Sequence, residues 1–160
     1  MIRPHLAVLL CAALSTGSAK GHEFWIDPLD HIVASGAPIE AHLRVGQKFE
    51  GYTNSYFPKN FKLFELAEGS ERVPVEGRMG DSPALVQVAE DGLQVVLHVT
   101  KDYRLTYTDF AKFEAFVREK DALWVVEAHK ARSLPQEGFV EAYSRYAKSL
   151  VAVGDGNGRD

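Results

Sequence analysis

The stretch Ile39–Val45, IEAHLRV, decides the fold class. Its apolar residues fall on every second position: Ile39, Ala41, Leu43 and Val45 share one face, and Glu40, His42 and Arg44 share the other. A period of two belongs to a β-strand with one face on a core and the other toward water. The same alternation returns at Leu93–Thr100 (LQVVLHVT), where Leu93, Val95, Leu97 and Val99 form the apolar face and Gln94, Val96, His98 and Thr100 the other. Asp91-Gly92 ahead of it is a hairpin signal. Shorter strand-like runs lie at Glu23–Asp27, His31–Ala34, Phe61–Leu66, Arg72–Val75, Ala84–Val88 and Arg104–Tyr107, with turn residues such as Glu68-Gly69-Ser70 between them. Many short strands at this spacing predict a mainly β fold, an antiparallel Ig-like or prealbumin-like β-sandwich.

The period changes after Tyr107. Phe110, Phe113, Phe116 and Val117 recur at helical spacing, and Thr108 or Asp109 stands where a helix is capped. The pattern continues through Leu123–Val126. Phe139–Lys148 (FVEAYSRYAK) reads as a second helix, giving way to a strand over Ser149–Val153. Helices are therefore expected as an insertion over about residues 108–148, within a single domain spanning 22–154. The final residues, 155–160, carry no apolar anchor and are expected to be disordered.

The other end of the chain has a different character. Arg3 precedes an uninterrupted apolar run, Leu6–Leu14, and Ala19 and Gly21 supply small residues before His22. That is the layout of a secretory signal peptide over residues 1–21, with cleavage expected after Gly21 and a cut after Ala19, with Gly17 at the −3 position, as the alternative. The run is too short for a bilayer span, which takes about 20 apolar residues. The single cysteine, Cys11, lies inside this segment, so the mature chain has neither disulfides nor thiolate ligands and depends on a packed core. A formal net charge of −4, with no basic run, argues against nucleic-acid binding. A periplasmic location is expected.

Cleavage after Gly21 would leave His22 with a free α-amine. Amine and imidazole both shed protons readily near neutral pH, and together they close a chelate ring on one cation. His42 and His98, each on the less apolar face of a strong strand, are the candidates to complete the site, with Glu23 orienting or assisting. Nitrogen donors without thiolate favour a divalent transition metal: nickel, cobalt or copper. His31 is ambiguous, and His129, near Lys130 and Arg132, reads as a surface residue. A second candidate site is the loop Gln47–Phe61, which holds Phe49, Tyr52, Tyr56, Phe57 and Phe61. Such a loop serves either as a lid on the core or as the rim of a carbohydrate- or protein-binding module. No nucleophile elbow, phosphate loop or zincin motif is present.

Four stretches carry a family resemblance: His22-Glu23-Phe24-Trp25, Leu43–Gly51 (LRVGQKFEG), Lys112–Glu119 (KFEAFVRE) and Tyr143–Leu150 (YSRYAKSL). Together they resemble a family of secreted bacterial proteins, built on a domain of unknown function, that is associated with periplasmic components of nickel uptake. The resemblance implies a β-sandwich with a helical insertion, a metal-binding accessory role rather than an enzymatic one, and a membrane metal transporter as partner. Only His22 transfers as a ligand, because His42 and His98 lie outside the matching stretches. Lys20-Gly21 departs from the simpler alanine-type ends of the family, and family members tend to be longer. Intact-mass measurement of exported protein should show a chain that begins at His22; any other first residue removes the chelate.

Overall fold

The structure, a computed structural model, describes residues 22–156. The expected signal segment, 1–21, and residues 157–160 of the expected tail lie outside the described residues. Two β-sheets pack face to face across one core. The first is built on β3 (Pro38–Gln47), with β1 (Glu23–Pro28) antiparallel along one edge. Its other edge is shared by β4 (Glu50–Asn54), opposite Leu43–Gln47, and β7 (Leu85–Val88), opposite Pro38–Ala41. The second sheet has five strands in the order β2 (Ile32–Val33), β11 (Tyr146–Val153), β8 (Gly92–Thr100), β5 (Phe61–Glu68) and β6 (Glu71–Pro74). All its neighbours are antiparallel except β2, which runs parallel to β11.

The core follows the alternation of β3. Ile39, Ala41, Leu43 and Val45 are buried, and three of them pack with Ile26, Leu85, Phe64, Leu66, Val96, Val151 and Val153 from both sheets. On β8 the expected orientation is reversed. The face made by Gln94, Val96, His98 and Thr100 is the buried one, while Leu93, Val95, Leu97 and Val99 point outward and are half-buried. The inward polar groups are accommodated individually. The Gln94 amide donates to Glu68 and to the Glu90 carbonyl, and Thr100 Oγ1 accepts from the Arg145 backbone N–H.

Past the sheets, the β8–β11 pair continues as a two-stranded ribbon. β9 (Tyr103–Tyr107) pairs with β10 (Phe139–Tyr143), Tyr103 opposite Tyr143. The segment 139–148 is thus not the expected helix but β10 and, after Ser144 and Arg145, the start of β11. Alternate residues of β10 are half-buried and exposed, and its partner β9 supplies the hydrogen bonds that no local signal in the sequence announces. The insertion's two helices are α1 (Phe110–Glu119) and α2 (Trp124–Ala131). Asp109 caps α1 by accepting from the Ala111 N–H at 2.9 Å. Phe113, Val117 and Val126 close a second small core with Tyr107 and Phe139. His129, expected at the surface, lies within it: it stacks among Phe110, Phe113 and Phe139, and its Nε2 is 2.8 Å from the Pro135 carbonyl. No helix among the described residues is long and apolar enough to cross a membrane.

Leu85 is fully buried at the centre of the larger core. Leu85→Ala should cost about 2–5 kcal/mol in denaturant unfolding. Val88→Ala on the same strand, at an exposed position, should stay within about 0.5 kcal/mol.

Candidate functional site

The turn between β3 and β4 shapes one end of the first sheet. Lys48 and Phe49 both adopt left-handed backbone, φ 51° and 62°. A two-residue hairpin loop of this kind favours Asn and Gly, and neither is present. Long-range contacts hold it instead: the Glu23 carboxylate accepts from the Lys48 N–H, and Trp25 packs edge-on against Phe49 with ring centroids 5.7 Å apart. Gly46 and Gly51 face each other behind the turn, and a Cβ on either would run into the opposite backbone.

The chain after β4 dips back into the core. Tyr56 is buried and donates to the Val75 carbonyl, with its ring against Phe61 and Phe64. The aromatic loop therefore divides. Tyr56 and Phe61 act as the lid, Phe49 and Tyr52 stay exposed, and Phe57 borders a cleft. This cleft, about 330 Å³, opens where β4 and the following loop stand off from β8. Thr53, Asn54, Ser55 and Asn60 bring hydroxyls and amides to its wall; Phe24, Phe57 and Phe61 bring rings. No carboxylate, lysine or arginine lines it.

His98 forms part of this wall. The side chain is only 3% exposed and is enclosed by Phe24, Phe61 and Phe64, at centroid distances of 4.9, 5.3 and 5.0 Å. Its Nδ1 is buried without a hydrogen-bond partner. Burial lowers its pKa from 6.5 to about 4, because a charged imidazolium is poorly solvated among phenyl rings. At neutral pH the site thus presents an uncharged imidazole.

The four residues expected to bind metal are not gathered into one site. His98 faces the interior. His42 is on the outer face of the first sheet, opposite Asp27, so the sheet itself separates the two imidazoles. Glu23 shares that outer face but pairs with Gly46, four positions from His42 along β3, about 13 Å at strand rise. Its carboxylate is engaged by the Lys48 N–H and, at 3.8 Å, by Lys120. His22 is exposed just ahead of β1. Among the described residues no group of three or more His, Cys, Asp or Glu side chains is placed to hold a metal ion. Arg44 lies beside His42, with Nη1 donating to Thr53 and Nε 3.6 Å from Asp27, an ion pair rather than a hydrogen bond.

Sequence residues 19–160 match the family described as a domain of unknown function, DUF4198. The chain belongs to this family. No curated protein and no solved structure shows a significant match to it.

A second polar cluster sits where the ribbon leaves the sheets. Asp102 accepts from Lys62 and from Ser144, and Lys62 also donates to Ser144 at 3.3 Å. The bond from Lys62 holds the Asp102 carboxyl below its usual range. The cluster ties β5 to the ribbon. In the small core, burial, reinforced by the bond to Glu141, raises the pKa of the Tyr107 hydroxyl.

The site has a pH signature. Unfolding lets His98 titrate near 6.5, whereas the folded pKa is about 4. The unfolded chain therefore takes up a proton between these values and the folded one does not. The contribution is complete above pH 6.5, fades as pH falls toward 4, and amounts to about 3 kcal/mol across the window. Denaturant titrations from pH 7 to 4 should show wild type losing stability more steeply than His98→Leu; parallel curves would contradict the buried neutral imidazole.

Proposed function

We propose that this protein is an exported, non-enzymatic binding protein, and that the cleft over His98 takes a small, uncharged, hydroxyl-rich ligand such as a sugar unit. The observation that carries the proposal is the uncharged lining of the cleft, in which Thr53, Asn54, Ser55 and Asn60 stand beside Phe24, Phe57, Phe61 and the neutral His98. Asparagine, serine and threonine on the rim supply directional hydrogen bonds, and Phe24, Phe57 and Phe61 supply faces for the apolar side of a sugar ring. The absence of charge on the lining argues for a neutral ligand, and the volume is in the range of small-molecule sites. The packed sheets are read here as an Ig-like or prealbumin-like sandwich, with the aromatic loop as the binding element at one end. A periplasmic location belongs to the same proposal and rests on the signal-like Met1–Gly21.

A second reading, transition-metal handling for nickel, cobalt or copper with a membrane transporter as partner, is favoured by the exposure of His22. Here the cation would rest on the α-amine and imidazole of His22, without His42 or His98. Affinity would fall with pH as protons compete for the same lone pairs.

Calorimetry separates the two. Protein beginning at His22 is titrated with neutral mono- and disaccharides and, separately, with Ni(II), Co(II) and Cu(II). Sugar binding that weakens about tenfold or more in Asn54→Ala and Phe57→Ala supports the cleft. Metal binding that weakens about tenfold or more when one residue is added ahead of His22 supports the second reading. Binding of neither ligand class removes both.

A further inference from the structure

The outer face of the five-stranded sheet is unusual for a surface. The middle strand turns its more apolar side outward, where Val95 and Leu97 are half-buried and belong to neither hydrophobic core. On the flanking strand β11, Tyr146 is 75% exposed and Leu150 51%. A continuous apolar strip of this kind, rimmed by charge, marks a contact surface.

The cross-strand register fixes the pattern. One row reads Glu65, Leu97, Lys148 from β5 through β8 to β11. The row on one side reads Leu63, Val99, Tyr146, and the row on the other Ala67, Val95, Leu150. Opposite charges thus flank a central leucine at equal distances, about 4.8 Å to either side. Neither Glu65 nor Lys148 has an ion-pair partner among the described residues.

We propose that this face pairs with the same face of a second copy, around a twofold axis along β8 that brings each Glu65 against the partner's Lys148. Such an axis carries β5 of one copy over β11 of the other and keeps the rows in step. Leu97 meets its own counterpart on the axis, Leu150 lies over the row of Ala67, which its own chain already buries, and Tyr146 covers Leu63. A twofold axis in the sheet plane across the strands would instead stack Glu65 on Glu65 and Lys148 on Lys148. The charges therefore select both the partner and its orientation, as a self-complementary interface requires. Face-packed sheets stand about 10 Å apart, within reach of a glutamate and a lysine extended toward each other. Three rows on three strands cover only a few hundred Å², less than the roughly 800 Å² per partner of a standard stable interface. The pair is accordingly a concentration-dependent dimer.

Sedimentation equilibrium of the purified protein from about 1 μM to about 1 mM should pass from monomer to dimer mass. Glu65→Lys and Lys148→Glu should each weaken dimerisation about tenfold or more, and the double swap should restore it. Leu97→Arg should abolish the dimer, with a thermal melt confirming that it remains folded. Monomer mass throughout overturns the proposal and leaves the face to a different chain. A dimer that ignores the single swaps, or a double swap that fails to recover, overturns the axis along β8 and with it the proposed pairing.

Discussion

The register of β8 between β5 and β11 is the constraint on which the rest of the molecule depends. Hydrophobicity alone would turn the other face inward, since Leu93, Val95, Leu97 and Val99 share one side and only Val96 is apolar on the buried one. Side-chain period is two, and a slip of one residue would exchange the faces completely. Pairing of Phe64 and Ala147 with His98 settles the matter. It turns His98 into a ring of phenylalanines and assigns Leu97 to the exterior. The interior cleft and the apolar outer strip are two results of this one alignment.

This also explains which parts of the fold are legible in the sequence. β3 is read correctly from Ile39–Val45 because its two faces differ sharply: Glu40, His42 and Arg44 cannot compete with Ile39 and Leu43 for the core. α1 is read from its aromatic spacing and its Asp109 cap, both of them local signals. Phe139–Lys148 fails for the opposite reason. Tyr143 and Tyr146 sit at a spacing that suits a helix, and Val140 and Ala142 alternate as a strand requires. Pairing with Tyr103–Tyr107, more than thirty residues away in sequence, decides between them.

For the site, residue type was legible and orientation was not. His98 was visible as a candidate, yet its burial depends on Phe24, Phe61 and Phe64, which converge from two other strands. The division of the aromatic loop between lid and rim likewise follows from where Tyr56 meets Val75 and Phe57 does not. His42 remains on the outer face that alternation assigns it, but no spacing rule could reveal that the sheet would separate it from His98. The polar members of the cleft, Thr53, Asn54, Ser55 and Asn60, looked like ordinary loop residues. Their only hint was proximity to the aromatics.

The left-handed pair Lys48–Phe49 has a bearing on how this end of the sheet is held. A hairpin turned by Asn-Gly would close by itself, whereas this one is disfavoured without Glu23 and Trp25 to hold it. In the folded state the β3–β4 turn is thus held by a distant strand, and the first residues of β1 carry the end of the β4 arm. Disturbance at the head of the described chain would travel through Glu23 to that arm, and from there to the Thr53–Ser55 wall.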